Sequence, residues 1–267
     1  MKILKYELKI KLKAFLFWAI GLTLLYLAGS MEYGGIAGAN SESIDALLNH
    51  YPPIILSIMG ITEAINFSCL DGYTWVIGYF GTLTAAFYAI TLGSSIINRE
   101  LIDKTFEFLF TKPRKRSYIL SIKILSGFIC LTAFSLVNFL GSILIMNSVD
   151  TNIDITNLMM LSSIGTYITS LLFYAISICI NVVIKKKSIS GKITNLLFMF
   201  SFVLGGIYDI TENAEILRIF TPFRYFLYKD ARVGNINTLF LIISVIICIC
   251  LIIIGYKSFK KRDLTEI

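Results

Sequence analysis

Charge is scarce in this sequence. Only 15% of its 267 residues are Asp, Glu, Lys or Arg, against roughly 25% in an ordinary water-soluble domain, and the mean hydropathy is +0.77. The shortage is concentrated: no charged residue occurs in 14–31, 72–98, 124–149, 155–184, 193–208 or 233–256. A helix needs about 20 apolar residues to cross a bilayer core. Four of these runs exceed that, 14–31 comes close, and 193–208 reaches it by extending through Ser190 and Gly191. The strands of a membrane barrel would be short and would alternate apolar with polar residues, so these long runs specify helices. The composition therefore excludes a soluble globular protein and predicts an all-α integral membrane fold with six transmembrane spans.

Other absences narrow the function. His50 is the one histidine and has no partner at ligand spacing, so it reads as a surface residue and not as a metal ligand or catalytic base. No GxxxxGK[ST] phosphate loop occurs: "SGK" at 190–192 lacks both the upstream Gly and the following Ser or Thr, so the chain does not bind ATP by that route. The five cysteines make no framework. Cys130, Cys179, Cys248 and Cys250 lie in apolar runs, where small core residues are expected, and Cys69 stands alone in an external loop. No span carries Asp, Glu or Arg at bilayer depth, whereas ion-coupled carriers rely on intramembrane carboxylates or broken helices. Lys123, near the inner end of span 3, is expected to snorkel toward the headgroups. The mild polar groups Thr82, Thr84, Tyr88, Thr132, Asn138, Ser177 and Asn181 are expected to hydrogen-bond one span to another, at about 0.6 kcal/mol per contact. No internal repeat or soluble domain is evident, and residues 1–267 read as one transmembrane domain. Such a chain has no energy source of its own, so work done on a substrate must enter from a partner.

The charge that is present has a direction. With both termini inside, the segments 1–13, 98–123, 185–192 and 257–267 hold 20 of the 24 Lys and Arg, while the external segments hold 11 of the 17 acidic residues. That is the positive-inside pattern, and it accounts for the net charge of +7 without nucleic acid. A seventh uncharged run, 46–62, carries Pro52 and Pro53 near its middle. Adjacent prolines remove two backbone donors, so the run is expected to be an external surface or re-entrant element. A span there would also put the basic 98–123 stretch outside.

At the start, "KILKYELKIKLK" places Lys2, Lys5, Lys9 and Lys13 on one helical face, as either an interfacial elbow helix or a plain topogenic charge cluster. No small-residue cleavage site follows, so span 1 reads as an uncleaved anchor. The turn "KKKSISGK" (185–192) leads into span 5. After it, Ile216, Leu217, Ile219 and Phe220 predict a short external helix that ends before Pro222.

The densest charge lies in "NRELIDKTFEFLFTKPRKRSYILSIK" (98–123), between spans 2 and 3. As a helix it sets Glu100 before Lys104 at i, i+4, with Leu101, Ile102, Phe108 and Leu109 as apolar contacts and Pro113 as the stop. From the residues alone it is either a helix that docks in a partner's cleft or an interfacial loop. The stretch resembles the segment after the second span of ABC-2 type permeases, the membrane subunits of ABC transporters. In that family a Glu opens the stretch, a Thr-x-Glu-x-Leu core follows, and a Pro-x-x-Arg and a later Lys close it. Here these are Glu100, Thr105, Glu107, Leu109, Pro113, Arg116 and Lys123, with Lys104 where a Gly is usual. "LLNHYPPIILSIMG" (47–60), "FTPFRYF" (220–226) and "KKRDL" (260–264) are similar to the family's external helix, pre-final-span stretch and tail.

The resemblance implies an exporter of lipids, glycans, drugs, peptide antibiotics or ions in a bacterial plasma membrane. It implies a homodimer or a pairing with a second permease. No cofactor is expected in this chain, and ATP with Mg is expected in a separate ABC ATP-binding subunit. Residues 98–112 would be the coupling helix, with Glu100, Lys104, Thr105, Glu107, Phe108, Leu109, Pro113 and Arg116 docking that partner. Residues 2–13 would be the elbow helix, and spans 2 and 5 would line the dimer interface. A secondary carrier or channel, or a membrane enzyme or assembly factor, stands as the alternative. Neither the intramembrane charge nor the half-helices that would favour a carrier occur in the spans.

Overall fold

The computed structural model describes residues 2–37, 41–62, 65–102, 116–149, 154–184, 186–211 and 214–261. Among the described residues six helices are long and apolar enough to cross a membrane. They are α1 (Lys2–Ala37), α4 (Leu70–Ile102), α5 (Arg116–Met146), α6 (Thr156–Val183), α7 (Lys187–Ile210) and α10 (Thr238–Lys261). Shorter helices lie between them on the outer side: α2 (Ser41–Leu48), α3 (Pro53–Ile58), α8 (Glu215–Phe220), a 3-10 turn (Pro222–Arg224) and α9 (Tyr228–Arg232).

Every expected span is a helix. The run 46–62 is not a span: Pro52 is the N-cap of α3 and Pro53 its first residue, where a missing N–H costs nothing. Gly60, at φ +84°, then turns the chain. The helix expected before Pro222 is α8, and Thr221 ends it.

α4 and α6 form the buried centre of the bundle, and α1, α5, α7 and α10 surround them with much of their apolar surface uncovered. Phe17, Leu24, Leu136, Leu144, Leu196, Phe200, Ile246 and Ile249 point outward. Lipid tails are as apolar as these side chains, so association of the helices depends on close packing and hydrogen bonds instead. Small residues allow that packing. Ala85, Ala86 and Ala89 on α4 are fully or almost fully buried, and a Cβ on Gly93 would lie 2.6 Å from the Ser177 Cβ.

Five of the seven polar groups expected to join the spans do so; Thr84 instead donates to the Phe80 carbonyl of its own helix, and Tyr88 meets its neighbours Trp18 and Phe134 through its ring. The Tyr26 hydroxyl on α1 donates to Asn138 Oδ1 on α5 at 3.0 Å, and the Asn138 amide reaches Ser163 on α6 at 3.4 Å. The Ser177 hydroxyl donates to the Ile90 carbonyl at 2.9 Å. The Thr132 and Tyr167 hydroxyls are 2.8 Å apart, and Ser190 donates to Asn181 Oδ1 at 2.8 Å.

Three expectations change in detail. Residues 2–13 are helical but run unbroken into span 1, because nothing in them breaks a helix and their inner face packs on α5. The resulting 36-residue helix is about 54 Å long at 1.5 Å per residue, so it extends well past a hydrocarbon core of about 30 Å. The turn before span 5 is shorter than 185–192, since α7 is already helical from Lys187. Lys123 does not snorkel: its ammonium is buried and lies 3.1 Å from Glu7.

Candidate functional site

Hydroxyl-bearing residues face one another across the central pair of helices and open a cavity of about 390 Å³ toward the outer side. α4 contributes Trp75, Tyr79 and Thr82; α6 contributes Ser162, Gly165, Thr166 and Thr169. The end of α7 adds Tyr208 and Asp209, and the segment after it closes one side with Phe223, Arg224, Phe226 and Tyr228. The rim carries the exposed residues Thr211, Glu215 and Lys229. Thr82 is 12 residues into α4 and Thr166 10 residues into α6, so the polar lining descends about 15–18 Å along the helix axes from their outer ends.

The lining is held by specific contacts. The Thr82 hydroxyl donates to the Gly78 carbonyl at 3.0 Å and lies 2.7 Å from the Thr166 hydroxyl. Thr169 donates to the Pro222 carbonyl at 3.3 Å, which ties the outer segment to α6. Gly165 lets that segment come close, because a Cβ there would meet Phe226 at 3.0 Å. Toward the cytoplasmic side Phe223 stacks on Phe173 with centroids 5.0 Å apart, and Phe198 packs against both at 5.5 and 5.4 Å. Phe87 adds to Phe198 at 4.7 Å. Of this ring cluster Phe223 lines the cavity.

Arg224 organises the wall. Its Nε donates to both Asp209 oxygens at 2.9 Å, and its Nη2 lies 2.6 Å from Oδ2. The same Nη2 donates to the Ser57 carbonyl at 2.9 Å, which draws α3 against the end of α7. Both charged side chains are about 5% exposed. A planar guanidinium suits such a two-point hold on a carboxylate. Its carbon also lies 4.7 Å from the centre of the Tyr79 ring. The Tyr79 hydroxyl itself is buried and has no acceptor for its proton, a condition that costs about 1–3 kcal/mol unless water or a ligand relieves it.

Two further anchors fix the outer segment. Arg218 is buried, donates to the Arg224 and Tyr225 carbonyls at 2.9 and 3.1 Å, and stacks over Phe240 of α10 at 4.3 Å. Tyr228 donates to Asp71 at the start of α4 at 2.8 Å. Burial, then the hydrogen bond to that carboxylate, push the Tyr228 phenol above its ordinary range, so it stays a donor.

On the cytoplasmic side a second charged cluster joins α1 to α5. Glu7 lies 2.9 Å from Lys11 and 3.1 Å from Lys123, and Lys11 donates to the Ser126 hydroxyl at 2.7 Å. All three ionic side chains are under 10% exposed. Lys123 lies seven residues beyond Arg116, the first residue of α5. Of the expected docking residues, Glu100 falls in the last turn of α4 and Arg116 opens α5. Lys104, Thr105, Glu107, Phe108, Leu109 and Pro113 lie outside the described residues.

The family model of the ABC-2 family transporter proteins matches residues 1–264. The chain belongs to the ABC-2 transporter family. No curated protein matches it. ABC-2 permeases are multi-pass membrane subunits that serve transport, are not themselves catalytic, and work with ABC ATP-binding subunits. The match takes in the whole of the 98–123 stretch and both charged clusters. Membership could be inferred from the sequence; the outer cavity could not. Thr82 alone of its lining stood among the polar residues picked out there. Asp209 and Arg224 flank the charged stretch after span 5, and nothing in the sequence marks that 15 residues of separation close into one buried pair.

Proposed function

We propose that this chain is the permease subunit of an ATP-driven exporter in a bacterial plasma membrane. In this proposal residues 1–267 form one transmembrane domain, and two such domains, identical or paired with a second permease, make the membrane unit. A separate subunit binds ATP and Mg and docks on residues 98–112. The cargo is a lipid, drug, peptide antibiotic or similar amphiphile. The observation that carries the proposal is the family match, which runs from the first residue through the docking stretch to the tail.

The geometry supports the outward direction. The cavity is lined by Phe223, which packs with Phe87, Phe173 and Phe198 deeper in the bundle, the arrangement expected of a path whose inner side is shut. The inner end of α1 and the start of α5 are locked together by Glu7, Lys11 and Lys123. A push on 98–112 by closing ATP-binding subunits would therefore reach two spans at once. The test is co-expression with the candidate ATP-binding subunit, purification and reconstitution. ATP-dependent outward movement of a fluorescent amphiphile, lost in an ATPase-dead partner, is the expected result. Movement driven by an ion gradient without any ATPase would overturn the proposal.

A further inference from the structure

We propose that the outer cavity of this chain is a binding site for an electrically neutral head group rich in hydrogen-bond donors, as a sugar or polyol head of an amphiphile is. Its volume of about 390 Å³ falls within the range of about 300–1,000 Å³ that small-molecule sites occupy. The chemistry of the wall selects the class. Each hydroxyl has one proton to give and two lone pairs to receive. Thr82 has given its proton to Gly78, and Thr169 has given its own to Pro222. What these groups retain is acceptor capacity, so the ligand must bring donors.

Charged head groups fit poorly. The Arg224 guanidinium is occupied by Asp209 and the Ser57 carbonyl, so it has little to offer an anion. A cation gains nothing either, because Asp209 is held by Arg224 and the charged groups of the lining, Asp209, Glu215, Arg224 and Lys229, sum to zero. At the rim Glu215 and Lys229 carry opposite signs, and Glu215 is 3.6 Å from Arg218. Tyr79 lines the cavity beside Arg224, with its hydroxyl buried. Trp75 and Tyr228, edge to face at 5.6 Å, and Phe226 provide flat apolar surfaces for the ring carbons of a sugar. That the bound amphiphile is cargo rests on the exporter proposal; the binding itself does not.

Trp75 is one of only two tryptophans, and the other, Trp18, packs on Tyr88 away from the cavity. The full chain in lipid nanodiscs, with Trp18→Phe so that Trp75 reports alone, is titrated below the micelle concentration with three probes of equal tail: octyl glucoside, octyl sulfate and octyltrimethylammonium. The expected result is a saturable Trp75 emission change with octyl glucoside alone. Thr166→Val and Thr82→Val should each raise the half-saturating concentration about tenfold, the loss of one hydrogen bond. Thr132→Val, which removes a comparable hydroxyl outside the cavity, should leave it unchanged. The proposal is overturned by a non-saturable response to octyl glucoside, by equal or tighter saturation with octyl sulfate or octyltrimethylammonium, or by indifference to both cavity variants. No ATP-binding partner is present, so a failure of the exporter proposal leaves this titration intact, and the reverse also holds.

Discussion

Arg224 and Asp209, 15 residues apart in sequence, meet in one of the least exposed ion pairs of the molecule, with Nη2 and Oδ2 2.6 Å apart. Removing one partner strands the other charge in a site closed to water, which costs about 3–5 kcal/mol. Arg224→Met should therefore lower the melting temperature of the purified protein sharply. The double variant Arg224→Met/Asp209→Asn should recover part of the loss, because neither charge is then left alone. A thermal-unfolding double-mutant cycle checks this, and simple additivity of the two single effects would count against the pair.

The Glu7 cluster obeys the same rule with a different sign of charge. Glu7 faces two ammonium groups, so Glu7→Ala takes the carboxylate away from buried Lys11 and one carboxylate away from Lys123, and should destabilise by about 3–5 kcal/mol. Lys5→Ala, on the exposed face of the same helix, should change stability by less than about 0.5 kcal/mol. Fluorescence-detected size-exclusion chromatography after a heat challenge would separate the two.

Gly60 adopts φ +84°, and a Cβ there would fall 2.5 Å from the Tyr79 ring. Gly60→Ala meets both a strained backbone, at about 1–3 kcal/mol, and a displaced Tyr79. The expected outcome is a lowered melting temperature together with a weakened octyl glucoside response. A variant that melts and titrates like the native chain would show that α3 does not set the position of Tyr79.

Charge reversal at Glu100 or Glu107 should abolish recovery of the ATP-binding subunit in a pull-down while leaving membrane insertion intact. Equal recovery from Glu100→Lys, Glu107→Lys and the native chain would remove the docking role from 98–112.

Tyr228 supplies a pH test. Its phenol is raised above the ordinary value of 10.0 by burial and by its bond to Asp71. A raised acid contributes stability that is complete below its unfolded value and is lost as the pH climbs toward the folded one. The stability gap between the native chain and Tyr228→Phe should stay constant through neutral pH and shrink only above pH 10. A gap that closes in the neutral range would assign it to another group.

Much of the fold was legible because lipid leaves few options. A run of about 20 apolar residues without charge has to be a helix, and Pro52, Pro53 and Pro222 marked where short helices begin or stop. Most of the polar residues of the spans were also legible as bonds between helices, as Asn138 and Ser177 show, whereas Thr84 turns back on its own helix. What could not be read was pairing at a distance. Lys123 near a membrane edge suggests snorkelling until α1 is seen beside it, although Glu7 and Lys11 at i, i+4 were visible. The lysine face of residues 2–13 was read correctly at Lys5, Lys9 and Lys13, which are exposed. The opposite face, carrying Glu7 and Lys11, is the one that packs. The cavity was hidden for the same reason: Thr82, Thr166 and Arg224 come from three separate parts of the chain, and hydrophobic periodicity carries no information about which parts meet.

The unbroken α1 has a mechanical corollary. A rod held near its inner tip by Glu7 and gripped about two thirds of the way along, where Tyr26 meets Asn138, would act as a lever. Sideways displacement of the Lys-rich tip would swing Tyr33 and its ring contact with Tyr73, 5.2 Å away at the far end, in the opposite direction. Motion at one membrane face would thus arrive at the other without any loop having to carry it.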